Sequence, residues 1–365
     1  MRLHHFSKTF LSLFTALSLL TTFVQAADDN VAVNQIVNKT VKPFLANNQI
    51  PGAAIAIYYN GQDYYFNYGV ADKSKNTPVT KDTIFELASI TKIFVTTLLG
   101  VEVQAGKLGL TDPVVKYIPR LSNTKGLPID QVQVVHLATH TASFYRQLEQ
   151  FGIKAGNVKG FFNKLKTWQP KTPIGSHYLY SNVSFGLLGY VLVNATGEPL
   201  ANLLRENITQ PLGMTNTYFT LPQDKLALQA QGYHPNNNPA PHYVPANFLG
   251  GGALRSSAAD MLTFMKANLG IKVENASPQL LSAMQFAQQP HFVVNPRFVL
   301  GLGWQRVKRG QQLLITKNGA NIGFSTFIGF SPSKQLGVVV LTNKAKGKAA
   351  NLGNQLLNRL LHAKQ

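Results

Sequence analysis

The chain has 365 residues, 45% of them apolar and 13% charged, proportions that exclude a disordered protein and allow a large buried core. It has no cysteine, which excludes a disulfide framework, a thiolate metal site and a cysteine nucleophile. Lys and Arg outnumber Asp and Glu by 34 to 15, but they are scattered, with no basic run or aromatic-interleaved patch. Nucleic acid is therefore not the expected partner; anionic envelope polymers or carboxylate-bearing substrates are.

Arg2 and Lys8 precede an apolar run from Phe10 to Val24, which ends at Val24-Gln25-Ala26 before a polar stretch. A basic start, an apolar run of this length and a small residue at the cut predict a secretory signal peptide over 1–26. Its loss removes Arg2 and Lys8 and no acid, taking the net charge from +19 to +17. No later segment is long and apolar enough to span a bilayer, so no stable membrane anchor is expected. The mature chain, 27–365, is expected in the periplasm as a monomer.

Asp29 to Asn48 has apolar residues at helical spacing, and Pro51-Gly52 ends that pattern. Two strands, Ala53 to Tyr59 and Asp63 to Tyr68, flank Asn60-Gly61, a strong hairpin signal. Gly69 to Thr83 reads as irregular. A long apolar helix follows from Ile90 to Ala105, with Gly106 suited to end it.

Leu108 to Leu127 reads as loop with short turns. Helical periods recur at Val132 to Thr141, Gly160 to Trp168, Ser184 to Val193, Leu200 to Ile208 and Ala258 to Asn268, and 222–248 reads as a long surface loop. Gly250-Gly-Gly252 lacks the Lys-Ser/Thr pair of a phosphate loop, so tight backbone packing is expected there. Strands return at Gly303 to Val307, Gln312 to Lys317, Phe324 to Phe330 and Leu336 to Leu341, as a meander, before a last helix, Ala349 to Leu361. The prediction is an α/β (α+β) fold. One antiparallel sheet is built from both termini (about 27–85 and 300–365), flanked by helices, with a mainly helical region (about 105–300) inserted. A cleft between the two parts is the natural site.

Three short stretches carry candidate chemistry: Ser89-Ile-Thr-Lys92, Tyr180-Ser-Asn182 and Lys317-Asn-Gly319. Ser89 and Lys92, three apart at a helix start, share a face, where outward N–H groups favour negative charge. Ser89 there is either a nucleophile or a plain helix cap. Ser-x-x-Lys also occurs at Ser122 and Ser331, in a loop and a tight turn; only Ser89 opens a long apolar helix. Tyr180 sits in a break between helices and Lys317 on a terminal strand. His136 and His140, four apart, lack a nearby third ligand, so no metal site is expected.

This set resembles the serine β-lactamase and penicillin-binding protein superfamily, most closely the class C β-lactamases, with Tyr-Ser-Asn in the middle slot. Ile50-Pro-Gly52, Phe85-Glu-Leu87, Leu137-Ala-Thr139, Trp168-Gln-Pro170, Gln210-Pro-Leu212, Gly301-Leu-Gly-Trp304 and Leu341-Thr-Asn-Lys344 are similar to family segments, in family order. The resemblance implies a β-lactamase/transpeptidase-like fold and a Ser89 acyl-enzyme. Lys92 and Lys317 would flank Tyr180, with either Tyr180 or Lys92 taking the serine proton. Asn182 would orient the substrate amide. The N–H groups of Ser89 and Ala320 would form the oxyanion hole, and Asn318, Gly319 and Gln147 would contact substrate. No metal or cofactor is implied. The substrate implied is a β-lactam, with a peptidoglycan stem peptide as the alternative.

Four departures bear on substrate. Asn318 replaces the usual threonine; Ala345-Lys-Gly-Lys348 lacks the family's carboxylate-recognising Asn and Arg; only a short hairpin separates Trp304 from Lys317; and Ser143-Phe-Tyr-Arg-Gln147 replaces a glycine-rich turn. They keep a D,D-peptidase or an esterase of the same fold as alternatives, and a β-lactam receptor module without turnover as a non-enzymatic one.

Overall fold

The computed structural model describes residues 31–154, 156–243 and 248–363. The expected signal peptide and its cut lie outside the described residues. A helix over 31–47 (α1) buries Val33, Val37 and Val41 on one face, as their spacing by four dictates. Strands β1 (Gly52–Tyr59) and β2 (Gln62–Asp72) follow. Between them Asn60 and Gly61 both take positive φ, 48° and 79°, as a two-residue hairpin turn requires. The stretch after Gly69 is more regular than expected. It extends β2 and adds β3 (Thr77–Pro78) and β4 (Ile84–Glu86).

Helix α2 (Thr91–Gln104) is buried on every side from Thr91 to Glu102, the mark of a central core helix. The helical region then supplies α3 (Val134–Ala138), α4 (Val158–Leu165), α5 (Asn182–Thr196) and α6 (Leu200–Leu204), the last widening into a π turn at Arg205–Thr209. Strand β5 (Arg255–Ser257) pairs with β4, and α7 (Ala258–Asn268) stacks Phe264 on Phe94 of α2, with ring centroids 4.0 Å apart. Besides β3 and β4, the strand β5 and three later elements were not expected from the sequence: α8 (Pro278–Gln288), β6 (Phe292–Asn295) and β7 (Phe298–Leu300). The chain ends with β8 (Gln305–Arg309), β9 (Gln312–Ala320), β10 (Ser325–Ser331), β11 (Leu336–Thr342) and α9 (Ala349–Leu361).

The main sheet has nine strands in the order β3-β2-β1-β11-β10-β9-β8-β7-β6. The first strand therefore lies against the last, from Ala53 opposite Thr342 to Tyr58 opposite Gly337. Alternation splits the strands between two cores. Ile55, Ile57, Phe327, Val338 and Val340 face α1 and α9, while Ala54, Ala56, Ile328, Val339 and Leu341 face the helical region. Among the described residues no helix is long and apolar enough to cross a membrane.

Leu356 on α9 is fully buried in the outer core. Leu356→Ala is expected to lower the unfolding free energy by about 2–5 kcal/mol, measured by urea titration.

Candidate active site

Ser89 lies in a 3₁₀ turn, Ala88–Ile90, between β4 and α2. The preceding Ala88 has φ of 47°, a left-handed conformation that costs energy for a residue with a Cβ. Ser89 is not the cap of α2: that position is Ile90, which makes no side-chain cap bond. The Ser89 hydroxyl points elsewhere. Its Oγ accepts a hydrogen bond from the Tyr180 hydroxyl at 2.6 Å and stands 3.2 Å from Lys92 Nζ.

Lys92 is fully buried one turn into the chain from Ser89. Its Nζ donates to Asn182 Oδ1 at 2.8 Å and to the Gly251 carbonyl. Burial, reinforced by the positive charge of Arg146, lowers its pKa to about 7. Lys317 on β9 is 3% exposed. Burial brings it down to about 8, with Tyr180 working against the shift and Lys92 adding to it. Both ammonium groups approach the Tyr180 ring, at 5.1 Å for Lys92 and 5.5 Å for Lys317 from its centroid.

The ring of His140 packs on the Tyr180 ring at 4.4 Å, and its Nδ1 accepts the Ser181 N–H at 3.1 Å. Burial first, then Lys317 and Lys92, hold His140 well below the ordinary histidine range, so it packs as a neutral ring. His136 Nδ1 accepts the Gln133 N–H, so each histidine serves a backbone group. Among the described residues no group of three His, Asp or Glu is placed to hold a metal.

The far end of β9 passes close to the serine. A Cβ on Gly319 would lie 2.2 Å from the Leu87 carbonyl, 2.5 Å from Thr326 Oγ1 and 3.0 Å from the Ser89 nitrogen, so only glycine fits. Ser89, Gln147, Asn182, Tyr243, Phe248 and Ala320 line a cleft of about 390 Å³. Within it Asn182 Nδ2 donates to Gln147 Oε1 at 3.1 Å. Asn318 is the one sequence candidate whose side chain turns away. It is exposed and registers opposite Phe327, whose ring faces α1 and α9, so it lies on the other face of β9 from Lys317.

Three further residues join the candidates. Gly251 supplies the carbonyl that Lys92 needs, and the glycine run has a packing reason: a Cβ on Gly250 would lie 2.5 Å from the Phe185 carbonyl. The triple glycine was a legible signal, but a carbonyl's role is not. Glu86, buried three residues before Ser89, accepts from Asn321 Nδ2 at 2.6 Å and from the Tyr243 N–H at 3.0 Å, tying two walls of the cleft to the serine's own segment. Arg146 holds its guanidinium carbon 5.3 Å from the Tyr180 ring centroid.

A hydroxyl held by a phenol and a depressed lysine, beside a cleft and a close-packed strand end, is an arrangement suited to acyl transfer. Known proteins agree. The beta-lactamase family model matches residues 37–362. A beta-lactamase of Psychrobacter immobilis is 32% identical over 370 residues, covering 92% of this chain and 89% of that protein. Among solved structures, a class C beta-lactamase superposes with a TM-score of 0.83 at 26% identity, covering 91% of this chain and 97% of its own. A beta-lactamase/D-alanine carboxypeptidase from Pseudomonas syringae also gives 0.83, at 28% identity, covering 92% and 100%. The chain therefore belongs to the beta-lactamase family and is a serine β-lactamase of the class C type.

Proposed function

We propose that Ser89 opens the β-lactam ring as the nucleophile and that neutral Lys92 takes its proton. The single observation that carries this is the pattern of partners around Lys92 Nζ. With its pKa lowered to about 7 the amine is partly neutral near neutral pH, and that form, donating to Gly251 O and Asn182 Oδ1, presents its lone pair to Ser89 3.2 Å away. Tyr180, donating to Ser89 Oγ, then fits the role of the acid that protonates the departing ring nitrogen. Lys92 returns the proton to Tyr180, and the Lys317 ammonium near the ring favours the negative charge that passes through the phenol oxygen. The N–H groups of Ser89 and Ala320 hold the oxyanion, and Asn182 with Gln147 orients the substrate amide. Water then attacks the ester, its proton leaving by the same Tyr180–Lys92 pair.

The similarity to a beta-lactamase/D-alanine carboxypeptidase favours a second activity at the same serine, slow hydrolysis of acyl-D-Ala-D-Ala peptides. The N-terminal 26 residues have the pattern of an export signal, which supports a catalytic domain over 27–365 acting in the periplasm.

Ser89→Ala is expected to reduce kcat/KM for a penicillin by about 10⁴-fold or more, and to abolish the penicilloyl adduct seen on the wild type by intact-mass spectrometry. A wild type that forms no adduct at Ser89 overturns the assignment. The pH profile of kcat/KM should rise with a midpoint of about 7, as Lys92 loses its proton, and fall above about 8, as Lys317 loses its charge. Gly319→Ala should push β9 away from the serine, lowering kcat/KM by about 100-fold and the Tm as well, checked by kinetics and calorimetry together.

A further inference from the structure

Three cations surround the Tyr180 ring, and they differ in kind. Lys92 is buried with its pKa lowered to about 7, and Lys317, lowered to about 8, keeps most of its charge at neutral pH but loses it as the pH rises. Arg146 is exposed, and a guanidinium stays protonated throughout the range of enzymes. Among the described residues it makes no ion pair and no side-chain hydrogen bond. Its backbone is nonetheless fixed. The Arg146 carbonyl accepts the Asn182 N–H at 2.9 Å, and the neighbouring Tyr145 carbonyl accepts the Ser181 hydroxyl at 2.7 Å, so the loop is stitched to the start of α5. The next residue, Gln147, lines the cleft.

On β9 the side chain after Lys317 offers nothing on the lysine's face, since Asn318 turns away and Gly319 has none. An exposed guanidinium without an ion pair, 5.3 Å from the Tyr180 ring and next in the chain to a residue that lines the cleft, matches a planar anion. We propose that Arg146 is a specificity residue that binds the carboxylate of the substrate through its two-pronged face. This rests on Ser89 being the nucleophile and deepens that reading. A second effect follows from the same placement: the Arg146 charge disfavours the ammonium form of Lys92. The groups facing Lys92 and Tyr180 are Lys317 from β9, His140 after α3, Tyr178, and Arg146 itself.

The test uses the mature protein with benzylpenicillin and its methyl ester, in wild type, Arg146→Gln and Arg146→Lys. Arg146→Gln should raise KM for the acid about tenfold, the loss of one charged contact, while KM for the ester moves less than about twofold. Arg146→Lys, which keeps the charge but not the fork, should fall between. The acid limb of kcat/KM for the ester should shift to higher pH in Arg146→Gln, because Lys92 regains affinity for its proton; a residue with a purely structural role would not move it. Equal changes for acid and ester, or no change for the acid, would overturn the role of Arg146. Intact-mass spectrometry on the same samples separates the two ideas: a wild type labelled elsewhere than Ser89 overturns the nucleophile, whatever Arg146 does.

Discussion

Two amines are buried beside one phenol, and that desolvation governs the rest of the site. An ammonium taken out of water is costly unless it is surrounded by acceptors or loses its proton, and Lys92 shows both responses. Its acceptors come from distant parts of the chain: the amide oxygen of Asn182 at the start of α5 and the carbonyl of Gly251 in the glycine run. The same burial leaves this amine partly unprotonated near neutral pH. Lys317 reaches Tyr180 from the sheet, so the phenol lies where the two halves of the molecule meet.

Neither half can form this centre alone. The sheet brings Lys317 and the end of β9, and the helical region brings Tyr180, Asn182 and Gly251. The short segment between β4 and α2 carries Ser89 across the gap. Close approach there depends on absent side chains. Gly319 lets β9 come up to the serine backbone, and Gly250 lets the loop press on α5. Ala88, held in a left-handed conformation, turns the chain so that Ser89 faces the cleft rather than capping its helix. That strain is tolerated because β4 pairs with β5 on one side and α2 is buried on the other.

Much of this was legible in the residues, and for identifiable reasons. Asn60-Gly61 needs positive φ, the burial pattern of α2 follows its apolar run, and the three candidate stretches are set apart from their chance copies by what flanks them. What escaped notice was local and weakly patterned. Ser277-Pro278 is a sound helix start, with the serine hydroxyl accepting the Leu280 N–H, and the buried Leu280, Ala283, Met284 and Ala287 have helical spacing, but two of those four are alanines, a weak apolar signal for α8. β6 is a short strand at the sheet edge with alternating exposure. The direction of Asn318 follows from a period of two once the register is known, but register is a long-range property. Gly251 acts through its backbone and Arg146 lies outside any motif, so side-chain pattern could indicate neither.

The pairing of β1 with β11 places the oldest part of the newly made sheet against the youngest. Loop-closure entropy makes such a contact slow to find, and nothing can stand in for β11 while it is still being synthesised. Until then the β1–β2 hairpin has one open edge and the outer core has no α9 to cover it. Before β11 is made, the nine-stranded sheet can exist only as two unjoined pieces, β3-β2-β1 on one side and β10 to β6 on the other.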